Sequence, residues 1–64
     1  MSEAITKPHY AESAGRAQLY LEAATIALQE AAKAKTRSER DARLALAAAN
    51  ASRAISYLQA ARNA

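Results

Sequence analysis

Apolar and small residues recur along this chain at alternating steps of four and three positions, the spacing of one face of an α-helix. The first series consists of Tyr10, Ala14, Ala17, Leu21, Ala24, Leu28 and Ala31. The second series consists of Leu44, Ala48, Ala51, Ile55 and Leu58. The two series are out of phase, because continuing the first would place Lys35 and Ser38 on the apolar stripe. The pattern therefore predicts two helices separated by a break.

Capping residues locate that break. Thr36 to Glu39 fits the capping-box pattern, and Ser38 to Asp41 repeats it two residues later. At the other end, Thr6 and Pro8 are typical of a helix start. We predict a flexible N-terminus at 1–6 and a single helical-hairpin domain at 7–63. Within that domain helix 1 covers about 7–34, the turn about 35–38 and helix 2 about 39–62.

The two series also predict how the helices pair. In an antiparallel pair the numbers of facing residues have a constant sum, and positions 28 and 44, 21 and 51, and 17 and 55 all sum to 72. This register opposes large to small residues, such as Leu21 to Ala51, which is how facing layers fill space. The predicted fold is all-α, an antiparallel two-helix hairpin whose helices meet along these two stripes.

With the stripes placed in the seam, one broad side of the hairpin is left with an apolar surface that needs cover. Its residues are Tyr20, Ala23, Ala27, Ala31, Leu46, Ala47, Asn50, Arg53, Ala54 and Tyr57. We expect this surface to be a dimer or partner interface. A second copy would complete a four-helix bundle with Asn50 fixing its register, whereas another protein would use Leu46, Arg53 and Tyr57 as anchors.

Composition narrows the chemistry further. The 64 residues include no cysteine and one histidine, His9, so no metal-ligand spacing, thiol nucleophile or phosphate-binding glycine loop is present. We therefore expect no catalytic residue, no cofactor and no enzyme activity. The chain also lacks an apolar run long enough for a membrane span and a secretory leader, so we expect a cytoplasmic protein without a membrane partner.

Five cations surround the predicted turn: Lys33, Lys35, Arg37, Arg40 and Arg43. Such a cluster can attract phosphate groups of nucleic acid or another anionic partner. It is more typical of a solvated turn whose lysines complement the dipole at the end of helix 1, and we prefer this interpretation. Glu39 and Asp41 dilute the positive charge, and no aromatic residue at this end could stack on a base.

A dimerising hairpin of this size and layout resembles the Rop-type RNA-binding regulators, which implies RNA binding by polar residues along the bundle surface. In this chain the basic turn is the candidate for such a nucleic-acid-binding function. The residues themselves favour a protein–protein interaction module, namely a regulator, inhibitor or co-chaperone that acts as a homodimer through its apolar helical face. Both functions remain open from the sequence, with the protein-binding one preferred.

Overall fold

The computed structural model describes residues 8–64, which form two antiparallel helices joined by a short turn. Helix α1 spans Pro8–Ala32 and helix α2 spans Arg37–Asn63. They pack against each other along their length. The predicted all-α hairpin is confirmed. The predicted flexible segment 1–6, including the proposed cap Thr6, lies outside the described residues.

The turn has the predicted length of four residues but lies two residues earlier, because α1 ends at Ala32 and α2 already begins at Arg37. Thr36 caps α2 with an extended backbone, and its Oγ1 accepts a hydrogen bond from the Glu39 amide at 3.0 Å. The Glu39 carboxylate in turn accepts one from the Lys35 amide at 3.3 Å. The first of the two capping-box candidates therefore sets the start of α2.

The axial register agrees with the sequence to within one residue. Three contacts cross between the helices: Arg16 with Tyr57, Arg53 with Tyr20, and Arg43 with Glu30. The residue numbers of each pair sum to 73, one more than the predicted 72. The hairpin therefore folds about the junction of Thr36 and Arg37.

The rotation of the helices about their own axes differs from the prediction. The buried apolar residues of the seam are all alanines: Ala17, Ala24, Ala27, Ala31, Ala47, Ala54 and Ala61. Leu21, Leu28 and the whole large-residue stripe of α2 were expected in this seam, but they are exposed. At 100° per residue, the buried stripe is turned by about 50° in α1 and about 90° in α2 from the predicted one. The predicted seam is therefore correct for Ala17, Ala24 and Ala31 and wrong for the large residues of α1 and for α2.

Alanine explains this rotation. A methyl group lets two helix axes approach to the short end of the roughly 8–10 Å range, whereas leucines in the seam would hold them apart. The alanine stripe runs beside the leucine stripe with the same heptad spacing, so both satisfy the periodicity. Close backbone packing selects the alanine stripe as the core.

Candidate interaction surfaces

The residues predicted to face a second chain lie mostly between the two helices of one chain. The buried members are Ala27, Ala31, Ala47, Asn50 and Ala54. Tyr20, Ala23 and Tyr57 are half-buried, and Leu46 and Arg53 are exposed. Placing the buried five on an outer surface is therefore incorrect, because they already form the contact between α1 and α2.

A different surface carries the large apolar side chains. We call it the apolar face and define it by Tyr10, Leu21, Leu28, Leu44, Ile55 and Leu58, each 41–54% exposed. Positions around a helix axis can be given as angles that increase by 100° per residue. In both helices these residues lie at larger angles than the buried alanines. In an antiparallel pair, residues that are rotated in the same direction away from the seam lie on the same broad side of the hairpin, whichever helix they belong to. The large residues predicted to meet inside the hairpin therefore lie side by side on its surface.

The opposite broad side carries four stacked side chains, which we call the tyrosine–arginine ladder. The rings of Tyr20 and Tyr57 are parallel to within 7°, with centroids 5.7 Å apart. The guanidinium carbon of Arg16 lies 6.0 Å from the centroid of Tyr57, and that of Arg53 lies 5.8 Å from the centroid of Tyr20. These distances suit cation–π contacts, so the ladder closes α1 onto α2 along one edge of the seam.

The ladder follows from a sequence feature that is separate from the periodicity of the apolar residues. Each helix has an arginine four residues before a tyrosine, Arg16 before Tyr20 and Arg53 before Tyr57. One helical turn brings each pair onto one face. The antiparallel register then sets each arginine over the tyrosine of the other helix. The repeated spacing, combined with the constant sum, was enough to find the ladder.

The two arginines of the ladder differ in their other partners. Arg16 donates a hydrogen bond to Glu12 at 3.4 Å. This bond, with a smaller contribution from the Tyr57 phenol, raises the pKa of Arg16 above its ordinary value. Within residues 8–64, Arg53 has no carboxylate within 4.0 Å. Arg53 therefore keeps its guanidinium edges available beside the exposed Leu46.

The basic turn is partly neutralised. Arg40 forms two hydrogen bonds with Asp41, at 3.1 and 3.2 Å, and Arg43 lies 3.6 Å from Glu30. No carboxylate of residues 8–64 lies within 4.0 Å of the other three predicted tip residues, Lys33, Lys35 and Arg37. The field at this end of the hairpin is therefore weaker than the cluster of five cations implied.

Other chemistry is sparse in the part of the chain that the structure describes. No three His, Asp or Glu side chains there come together to hold a metal ion, and His9 is exposed. Neither α1 nor α2 has a stretch long and apolar enough to cross a membrane. No protein-family model matches the chain, and no curated protein or solved structure is significantly similar to it. The surfaces above are therefore the basis for a functional proposal.

Proposed function

We propose that this protein is a small non-enzymatic interaction module, a regulator, inhibitor or co-chaperone, that acts as a homodimer through its apolar face. The observation that carries the proposal is the distribution of side chains: the core is alanine, and the six large residues of the apolar face point outward. Contiguous apolar surface of this kind is typical of a binding site. Two hairpins joined through these faces would form a four-helix bundle.

The free energy available at the apolar face supports this proposal. Each methyl-sized group removed from water contributes about 0.8 kcal/mol, and full burial of a leucine or isoleucine contributes about 1.5–3 kcal/mol. An alanine core therefore stabilises a hairpin weakly for its length. Covering the leucines and Ile55 adds the burial that the single chain lacks.

The size of the surface also suits a dimer. Helices are about 10 Å wide, and the 25 residues of α1 rise about 38 Å. One broad side of the hairpin therefore measures about 20 by 38 Å, or roughly 760 Å². Each partner in a standard protein–protein interface buries about 800 Å², so one hairpin side matches one half of such an interface.

A further protein would then bind the side of the bundle that carries the ladder. Tyrosine and arginine are enriched among the residues that dominate binding energy, and Arg53 has no carboxylate partner within residues 8–64. We propose Leu46, Arg53 and Tyr57 as the residues that contact this protein. The chemistry that they fit is an apolar segment carrying an acidic side chain.

Sedimentation velocity at micromolar concentration tests the homodimer. We expect the wild type to sediment as a dimer and Leu21→Glu to sediment as a monomer, because the carboxylate would be desolvated in the interface. Leu19→Glu is the matched control, since Leu19 is 65% exposed and lies off the apolar face. A folded wild-type monomer, or equal behaviour of the two variants, would contradict the proposal.

The alternative function is nucleic-acid binding through the turn. It predicts binding to RNA or DNA that weakens steeply with salt and that is lost when Lys33, Lys35 and Arg37 are replaced by glutamine. The pairing of Arg40 and Arg43 with acidic residues makes us prefer protein binding. Retained nucleic-acid affinity in Leu21→Glu, together with that salt dependence, would reverse this preference.

A further inference from the structure

Two hairpins can pack through their apolar faces in two ways that obey two-fold symmetry. Either the turns lie at opposite ends, with α1 over α1 and α2 over α2, or they lie at the same end, with α1 over α2. We infer that the turns lie at opposite ends and that the two-fold axis passes at the level of Leu21 and Ala51. This inference rests on the proposed homodimer and specifies its geometry.

The lengths of the helices place the axis. Two antiparallel hairpins bury most surface when they overlap fully, and full overlap puts the axis at the midpoint of each helix. The midpoint of Pro8–Ala32 is Tyr20, and that of Arg37–Asn63 is Asn50. The residues of the broad side next to these midpoints are Leu21 and Ala51, which lie within one residue of the same level in the observed register.

Leu21 meets its own copy at this axis, and on either side of it the α1 helices present large residues to small ones. Leu28 and Ala14 are each seven residues from Leu21 in opposite directions, so Leu28 of one copy lies over Ala14 of the other. Tyr10 and Ala32 are each eleven residues away, and they meet in the same manner. Such alternation lets facing layers interdigitate.

The α2 helices behave similarly. Ala51 meets its own copy at the axis, which permits a close approach of the two backbones. Ile55 lies four residues beyond Ala51 and Ala48 three residues before it, so the isoleucine of one copy covers the alanine of the other. Leu44 and Leu58 are each seven residues away and form a leucine pair on both sides of the axis.

The arrangement with both turns at the same end packs less evenly. Residues at the same height in the two copies would then lie together, so Leu28 and Leu44 of both copies would make a layer of four leucines. Near the level of Leu21 and Ala51 two leucines and two alanines would meet, so successive layers would differ in bulk. The two turns, each with Lys33, Lys35 and Arg37, would also be adjacent, and like charges repel.

Spin labels at the turn distinguish the two arrangements. The chain has no cysteine, so Ser38→Cys on the exposed turn side accepts one label per copy. Ser38 lies thirteen residues, about 20 Å, from the level of Ala51. We expect a distance of about 40 Å between the labels, against less than about 30 Å when the turns share an end.

Oxidative cross-linking gives a second measurement. We expect Ala51→Cys to form a disulfide between the two copies, because its own equivalents meet at the axis. Leu58→Cys is the control on the same face, since its equivalents lie about 21 Å apart along the bundle. If the protein is a dimer but the label distance is short, this inference is overturned and the proposed function stands. The same holds if the protein is a dimer in which Leu58→Cys cross-links and Ala51→Cys does not. A monomeric wild type overturns both.

Discussion

Single methyl groups determine how closely this hairpin packs. Ala54 has no exposed surface, and Ala17 and Ala27 are almost fully buried in the same seam. No large side chain in the described part of the chain is fully buried. Protein interiors are close-packed, so a larger residue at these positions has no space to occupy.

We therefore expect Ala54→Leu to lower the free energy of unfolding by about 1–3 kcal/mol, because the added carbons push the helices apart. Urea denaturation followed by circular dichroism measures this change. Ala49→Leu is the control, since Ala49 is exposed on the outer side of α2, and we expect a change below about 0.5 kcal/mol there. Equal stability of the two variants would mean that the alanine seam tolerates bulk.

The boundary between the helices is set by two reciprocal side-chain hydrogen bonds. Thr36 accepts from the Glu39 amide, and the Glu39 carboxylate accepts from the Lys35 amide. The end of α1 is held differently, by hydrogen bonds from Lys33 to the Glu30 carbonyl and from Ala34 to the Ala31 carbonyl. These contacts replace the glycine that commonly closes a helix.

Removing the cap should loosen the hairpin at its turn. We expect Thr36→Ala to lower the free energy of unfolding by about 1 kcal/mol, because the Glu39 amide loses its acceptor. Thr36→Ser keeps the hydroxyl and should stay close to the wild type. Thermal unfolding of the three proteins at one concentration measures the difference. If the serine variant is as unstable as the alanine variant, the hydroxyl is not the stabilising group.

For the molecule as a whole, the sequence predicts the break and the register of the hairpin but not the rotation of its helices. The break near Thr36 follows from the phase change and the capping residues, the register follows from residue spacing, and both hold to within a residue or two. The rotation of each helix about its own axis does not follow from residue spacing. Every lengthwise stripe of an antiparallel hairpin gives nearly the same constant sum of facing residue numbers. Choosing between leucine and alanine stripes requires comparing backbone approach with side-chain burial, and residue periodicity alone does not make that comparison. The sequence therefore predicts the large residues of the apolar face inside the hairpin, and Ala27, Ala47 and Ala54 of the observed seam outside it.

Assembly should couple to folding in this protein. If the apolar face is buried only in the dimer, dilution favours the unfolded chain by mass action. A tenfold dilution changes the free energy by about 1.4 kcal/mol, which lowers Tm by roughly 5 °C for two chains of this size. Differential scanning calorimetry over a hundredfold range of concentration measures this shift. A constant Tm would show that each hairpin is stable alone.

The stacked rings of Tyr20 and Tyr57 give this protein an intrinsic optical reporter. The chain has three tyrosines and no tryptophan, so its near-ultraviolet emission comes from tyrosine alone. Two of these phenols come within 5.7 Å only after α1 and α2 have closed, and they lie away from the leucine-bearing side. Tyr10, the third tyrosine, lies on the apolar face, and Tyr10→Phe removes its emission. The fluorescence of that variant follows closure of one chain separately from the meeting of two, so the order of these events can be timed without an added dye.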